Sequence, residues 1–311
     1  MKYANQTQML GIMLSRSARI KTMRLFIVSL MLVPMLLLSA CNKQVDPIGG
    51  KVRTGHVTHA IISLSPNVSE MLALAGVSSQ MLVGRTASCN FPPDFAAVPV
   101  VMAGVKPDYE QIAGIHADVI AYDASLFSDE DIAKIKALNI KTLEFNATNM
   151  DEWSRFMSAI GKEIGNELHA SQATDRSFGA YHAMLASGQK NAGKSIAVII
   201  GDPSTGYRLV GQKSFLGNAL SQAELKVVGG DSADFAPANL EMLIQADPDF
   251  IVTTKKSQAA ILADPHLQSL SALKAKRVLD IEDDILLRVG GRLELLFNGL
   301  SAGIDAMSKM N

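Results

Sequence analysis

A phosphate-binding loop and a zinc-protease site would each be incomplete in this 311-residue chain. The stretch GDPSTGYR, residues 201–208, has the outer glycines of a phosphate-binding loop. Tyr207 and Arg208 stand where such a loop needs lysine followed by serine or threonine. Six histidines are scattered without the spacing of a zinc protease. The sequence therefore predicts no catalytic centre, no metal site and no resident cofactor, with an exported α/β hydrolase as a remote alternative.

Two segments of the chain repeat one pattern. They are DYEQIAGIHADVIAYD, residues 108–123, and NLEMLIQADPDFIVTT, residues 239–254. Each contains a glutamate, Glu110 or Glu241, and an acid eight residues later, followed at once by an apolar, β-prone run. The pattern predicts a helix that leads into a strand, once in each of two related α/β lobes.

Composition limits the partners of the chain. The net charge of −1, from 29 basic and 30 acidic residues, gives no electrostatic reason to expect nucleic acid. A hydrophobic content of 48% supports a large core. Beyond Cys41 the chain has one other cysteine, Cys89, which we interpret as a buried apolar residue rather than a soft metal ligand. A lipidated Cys41 would leave Cys89 without a disulfide partner, so we expect stability to come from packing.

The first 41 residues predict a lipoprotein signal peptide. Arg24 precedes an apolar run that ends in the small residues of LSAC, where cleavage before Cys41 would leave its thiol free for lipidation. An ordinary signal peptide or an uncleaved anchor remains the alternative, and Met23 is a second candidate start. Residues 42–57 are polar and glycine-rich, so we expect a flexible tether that holds an exported protein at a membrane.

The remaining chain alternates short β-branched runs with helical patterns. This alternation predicts parallel strands with right-handed crossovers in two lobes, residues 58–149 and 191–311. Between them, residues 150–190 show an apolar stripe at helical spacing and no strand pattern. We expect one long connecting helix there, with two helices broken near Ala170 and Ser171 as the alternative. The predicted fold class is therefore α/β, with two Rossmann-like lobes joined by a backbone helix.

Residues 58–305 resemble the helical-backbone class of solute-binding proteins, which serve ABC importers of ferric siderophores, haem and cobalamin. The similar segments are AIISLSPNVSEMLALAGVSSQMLVGRT, CNFPPDF, the two repeated segments, and HLQSLSALKAKRVLDIEDDILLRVGGRLELLFNGL. The resemblance implies a ligand-binding receptor without enzymatic activity, whose partners are a small molecule and an ABC permease. In this class, one glutamate on each lobe docks onto arginines of the permease, and Glu110 and Glu241 stand at those positions.

Ligands of open α/β units bind beyond the carboxyl ends of the strands, so a site is expected between the lobes. The cobalamin-binding members are the most similar, and they imply four aromatic cleft residues together with an acid and a base that contact the ligand. The corresponding residues here are Phe91, Tyr122, Tyr207, Phe235, Asp284 and Arg288. One departure is Gly104, where those members carry tryptophan.

Three ligand classes follow from this resemblance. Aromatic surfaces suit a large, flat corrinoid, which is the favoured prediction. A ferric siderophore would need more basic residues, and haem would need an axial tyrosine or histidine. Both remain alternatives.

Overall fold

The structure, a computed structural model, describes residues 59–310. The predicted signal peptide, the lipidated Cys41 and the tether lie outside the described residues. The first lobe has the elements β1 Ile61–Ser63, α1 Pro66–Leu74, β2 Leu82–Thr86, β3 Val100–Met102, α2 Tyr109–Gly114, β4 Val119–Asp123, α3 Asp129–Ala137, β5 Lys141–Phe145 and α4 Met150–Ile164. The helix α5, Glu167–Gln189, follows.

The second lobe continues from β6. Its elements are β6 Ser195–Asp202, β7 Gly206–Val210, α6 Phe215–Gln222, β8 Lys226–Val227, β9 Phe235–Pro237, α7 Leu240–Ala246, β10 Phe250–Thr254, α8 Lys255–Ala263, α9 Ser271–Lys274, β11 Val278–Ile281, α10 Asp283–Leu286 and α11 Leu293–Met307.

The first lobe contains a five-stranded sheet in the order β3-β2-β1-β4-β5. All of its neighbouring strands pair in parallel, which confirms the prediction for this lobe. Local capping also agrees with the sequence, since the Ser128 hydroxyl accepts a hydrogen bond from the Asp131 amide at the start of α3.

The second sheet has the order β11-β10-β6-β7-β9, with β8 paired to β6. Its strands β7 and β9 run antiparallel to their neighbours, so the prediction of a purely parallel sheet is wrong here. The tight turn between β6 and β7 explains the difference. Gly201 and Gly206 adopt φ values of +101° and +82°, and Asp202 accepts hydrogen bonds from the amides of Ser204 and Thr205. The segment that resembled a phosphate loop is this hairpin.

The repeated segments perform the same structural task in both lobes. Asp118 accepts a hydrogen bond of 2.9 Å from the amide of Ala60, beside the start of β1. Asp249 accepts a hydrogen bond of 2.9 Å from the amide of Ser195, the first residue of β6. In each repeated segment, the aspartate that precedes the strand therefore accepts a hydrogen bond from a backbone amide at the start of the neighbouring strand.

The connection between the lobes is two helices rather than the predicted single one. The helix is interrupted at two residues. Gly165 ends α4 with a left-handed φ of +67°, and Asn166 is the N-cap of α5. The helix α4 packs on β5 of the first lobe, whereas α5 packs along α11 of the second lobe. Of the predicted backbone helix, α5 alone is thus the long connector. The fold class, two α/β lobes joined by a long helix, is confirmed.

The cores of the two lobes are continuous. One hydrophobic cluster includes α1, α4, α5 and α11 together with β-strand residues of both lobes, such as Val119 and Val252. Two smaller clusters fill the outer faces of the sheets. Within the described part of the chain, no helix has the length and apolarity needed to cross a bilayer.

Candidate ligand-binding site between the lobes

The second lobe contacts the first through residues 284–292, which we call the interlobe segment. The side-chain amide of Asn90, in the loop after β2, donates to Asp284 Oδ2 at 2.7 Å. Its carbonyl oxygen accepts from Arg288 Nη1 at 2.8 Å. On the α4 side, Trp153 Nε1 donates to the carbonyl oxygen of Gly290 at 3.0 Å. These hydrogen bonds form a row along which the first lobe contacts the second. We call this row of contacts the interlobe line.

A buried carboxylate lies beneath this line. Glu70 of α1 has a side-chain exposure of 1%, and its Oε1 accepts from Arg288 Nη1 at 3.0 Å and from Arg292 Nη2 at 2.6 Å. Both arginine side chains are mostly buried as well. A buried carboxylate is tolerated because two guanidinium groups compensate its lost hydration.

Three of the six predicted ligand residues come together here. Asp284 and Arg288 form an ion pair of 2.9 Å, and the Asp284 side chain is 40% exposed. Phe91 is 38% exposed, and the guanidinium of Arg292 lies 4.7 Å from its ring centroid. Leu287, in the interlobe segment, is 45% exposed. The interlobe line thus offers apolar surface beside a compact set of polar groups.

A pocket of about 260 Å³ adjoins this line on the side of α1 and α5. It is lined by Phe91 and Pro92 together with Ala73, Leu74 and His169. Sites for drug-sized molecules occupy about 300–1,000 Å³, so this pocket is too small for a corrin or a porphyrin. A large ligand would have to lie on the open face of the interlobe line.

Two of the predicted aromatic residues do not reach a cleft. Tyr122 is fully buried in the outer cluster of the first lobe, and its hydroxyl donates to Glu144 at 2.9 Å. Tyr207 is buried in the outer cluster of the second lobe, and its hydroxyl donates to Asp264 at 2.8 Å. The prediction that these tyrosines line the ligand site is therefore corrected. Both fill the core on the helix-covered faces of their sheets.

Phe235 lies on an edge strand of the second lobe. It is half-buried at the start of the edge strand β9, where it pairs with Val210 and packs against the main core. Its carbonyl oxygen accepts a hydrogen bond from Arg208. Contact between Phe235 and a ligand remains a prediction.

The two predicted docking glutamates occupy equivalent places. Glu110 and Glu241 are exposed in the first turns of α2 and α7, behind the capping residues Asp108 and Asn239. Within residues 59–310, neither carboxylate forms an ion pair or a side-chain hydrogen bond. Both are therefore accessible to a partner of opposite charge.

Sequence reasoning missed the residues that join the lobes. Glu70, Arg292 and Trp153 were not proposed for the site, although two signals pointed to them. Glu70 is the one charged residue of α1, and two arginines flank the glycine pair of RVGGR. A buried carboxylate requires a compensating cation. The second lobe supplies Arg288 and Arg292, which lie on either side of the glycine pair in the sequence.

One hydrolase-like sequence motif lies in the second lobe. Residues 299–303, GLSAG, match the spacing of a hydrolase nucleophile, but they lie inside α11 instead of at a strand-to-helix turn. The Ser301 hydroxyl contacts Ser187 Oγ at 2.9 Å and donates to the Ala183 carbonyl. Within residues 59–310, no group of three acids, histidines or cysteines could hold a metal ion. Cys89 is buried beside the hydroxyl of Ser69, with 2.8 Å between Sγ and Oγ.

Comparison with known proteins agrees with this architecture. The family model described as periplasmic binding protein matches residues 61–285. An uncharacterized ABC transporter substrate-binding lipoprotein of Bacillus subtilis (strain 168) is 25% identical over 240 residues, which cover 75% of this chain and 76% of the relative.

Two solved structures share the fold. The periplasmic vitamin B12 binding protein of Vibrio cholerae superposes with a TM-score of 0.70 and 17% identity, over 80% of this chain and 97% of that chain. The apo form of the periplasmic heme-binding protein from Roseiflexus sp. RS-1 gives a TM-score of 0.69 and 16% identity, over 81% and 99%. The chain therefore belongs to the periplasmic binding protein family and is a substrate-binding protein of an ABC importer.

Proposed function

We propose that the protein captures a corrinoid between its two lobes and delivers it to an ABC permease. The observation that supports this most is the composition of the interlobe line. Phe91 and Leu287 expose apolar surface beside Asp284 and Arg288, which can bond the polar rim of a flat ligand. Burial of an apolar disc would supply affinity, and the polar groups would fix its orientation.

Haem is disfavoured because no tyrosine of residues 59–310 has a free hydroxyl to bind its iron. Each tyrosine among residues 59–310 donates its hydroxyl to another side chain; these are Tyr109, Tyr122, Tyr181 and Tyr207. Burial and the hydrogen bond to Asp131 raise the pKa of Tyr109 to about 12, which opposes the tyrosinate that would bind ferric iron. Among the histidines of residues 59–310, His169 lines the pocket beside Phe91, so it is the histidine that a haem iron could reach, and calorimetry with haem tests it.

An anionic ferric siderophore is disfavoured by charge pairing. At the residues that directly precede the interlobe segment, Lys256 and Asp283 lie 3.9 Å apart and Lys255 pairs with Glu282. The two arginines of the interlobe segment already compensate Glu70 and Asp284. A multiply charged anion would find few uncompensated cations here, whereas a ligand without a large negative charge meets no such obstacle.

Delivery would use Glu110 and Glu241. Arginine binds a carboxylate through two parallel, charge-assisted hydrogen bonds, so two exposed carboxylates on different lobes offer a two-point contact to a permease. We also propose that Cys41 carries a lipid, which would hold the exported protein at the membrane where the permease lies. Both proposals extend the sequence prediction, and the exposure of the two glutamates supports the first.

The double variant Glu110→Ala/Glu241→Ala is expected to keep corrinoid affinity and to lose most import. Import is measured as uptake of labelled cobalamin by cells that depend on this protein, and retention is measured by equilibrium dialysis of the purified full chain. Glu167→Ala is the matched control, because Glu167 is also exposed in the first turn of a helix but lies on α5. Undiminished uptake by the double variant would remove the docking role. Absence of cobalamin retention by the wild-type chain would contradict the proposed function itself.

A further inference from the structure

The interlobe segment approaches the first lobe more closely than side chains would permit. A Cβ atom on Gly290 would lie 2.7 Å from Glu70 Oε2 and 3.1 Å from the Cα of Asn67. A Cβ on Gly291 would lie 2.3 Å from the carbonyl oxygen of Glu70. The two glycines therefore seat the segment on α1, and they fix where Asp284 and Arg288 meet the loop after β2.

Asn90 is the residue of that loop that engages both charged groups. Its Nδ2 donates to Asp284 Oδ2 at 2.7 Å, and its Oδ1 accepts from Arg288 Nη1 at 2.8 Å. Chemistry sets this orientation, because an ionised carboxylate only accepts hydrogen bonds and a guanidinium only donates them. The acid and the base therefore form an adjacent acceptor and donor that one primary carboxamide satisfies completely.

The groups of this cluster differ in their accessibility. Asn90 is exposed and the Asp284 side chain is 40% exposed, so a solute can compete for their bonds. Glu70, at 1% exposure, cannot be reached and continues to hold Arg288 from below. A solute that replaces Asn90 thus leaves the buried ion pairs in place.

We propose that Asn90 acts as the protein's own stand-in for a carboxamide of the ligand and competes with that carboxamide for Asp284 and Arg288. This inference rests on the proposed function, since it requires a ligand between the lobes. The bound molecule exchanges one of its primary amides for the Asn90 amide, donating to Asp284 and accepting from Arg288. Corrinoids carry primary amides around the ring. The propionates of haem and the oxygens of a ferric catecholate only accept hydrogen bonds, and Asp284 repels them.

Exchange has a measurable consequence for affinity. Because the Asn90 amide must leave before the ligand amide can bind, its removal eliminates a competitor without removing Asp284 or Arg288. Calorimetric titration of the full chain with cyanocobalamin is expected to show about tenfold tighter binding by Asn90→Ala. Asn298→Ala, at an exposed asparagine of α11, is the matched control and is expected to bind like the wild type.

A second comparison tests whether the site prefers a primary amide of the ligand over a carboxylate. The probe is a cyanocobalamin derivative in which one peripheral amide is hydrolysed to a carboxylate. The wild type is expected to bind the amide form more tightly, and Asp284→Asn is expected to lose most of this preference because it removes the repulsion. Weaker or unchanged cyanocobalamin binding by Asn90→Ala would overturn the proposal, as would an undiminished preference in Asp284→Asn. Lack of wild-type binding to either corrinoid would overturn the proposed function first, which distinguishes the two failures.

Discussion

Replacing Trp153 with alanine is expected to lower the free energy of unfolding by about 3–5 kcal/mol, the usual cost of removing a large buried aromatic side chain. Trp153 is fully buried within the cluster that both lobes share. Its indole nitrogen also bonds the carbonyl oxygen of Gly290 in the second lobe. The substitution therefore leaves a cavity and an unpaired buried carbonyl at the same time. Trp153 is the one tryptophan of the chain, so its replacement removes the tryptophan fluorescence signal. Urea unfolding should therefore be followed by circular dichroism.

Trp153→Phe separates the two effects. Phenylalanine keeps much of the apolar volume but cannot donate to Gly290, so the expected loss is about 1–3 kcal/mol for an unsatisfied carbonyl, with a smaller packing term. If the free energy of unfolding of Trp153→Ala lies within about 1 kcal/mol of the wild-type value, this contact does not stabilise the junction between the lobes.

Gly291→Ala is the second substitution with a large expected effect. The new Cβ would lie 2.3 Å from the carbonyl oxygen and 2.5 Å from the carbonyl carbon of Glu70. These are backbone atoms of α1 and cannot rotate away, so the interlobe segment would have to move. Overpacking typically costs about 1–3 kcal/mol, and a backbone obstacle places this variant at the upper end of that range. We also expect weaker ligand binding, because Asp284 and Arg288 move with the segment.

Gly299→Ala is the matched control for this variant. Gly299 lies in α11, and nothing comes within 4 Å of the position that its Cβ would take. Alanine in a helix interior is favoured over glycine by roughly 0.5–1 kcal/mol, so this variant should be at least as stable as the wild type. Equal stability of the two alanine variants in urea unfolding would contradict the close approach of the lobes.

Most of the fold was readable from the sequence because its signals are local. The repeated segment 239–254 predicts a helix that leads into a strand, and the structure has the helix Leu240–Ala246 followed by the strand Phe250–Thr254. The alternation of strands and helices predicts the parallel sheet of the first lobe. The sequence does not predict the break at Gly165, because apolar residues recur at helical spacing on both sides of it. Such spacing is the same for one continuous helix and for two successive helices that point in different directions.

The site was less readable because it depends on which way each side chain points. Every residue of β4 is buried, so no alternation distinguishes the two faces and Tyr122 could not be placed. In β7, by contrast, Tyr207 and Leu209 are buried while Arg208 between them is exposed, and this alternation does favour a core position for the tyrosine. The partnership of Glu70 with Arg288 and Arg292 joins residues over 200 positions apart, so no local pattern could reveal it.

Isothermal titration calorimetry of the full chain against cobalamin, cobinamide, haem and a set of ferric siderophores tests the central claim most directly. Capture of a corrinoid between the lobes predicts saturable binding of cobalamin or cobinamide with one molecule per chain. It also predicts far weaker heats with haem and with the siderophores. Tight binding of haem or of a siderophore, without measurable corrinoid binding, would contradict the account.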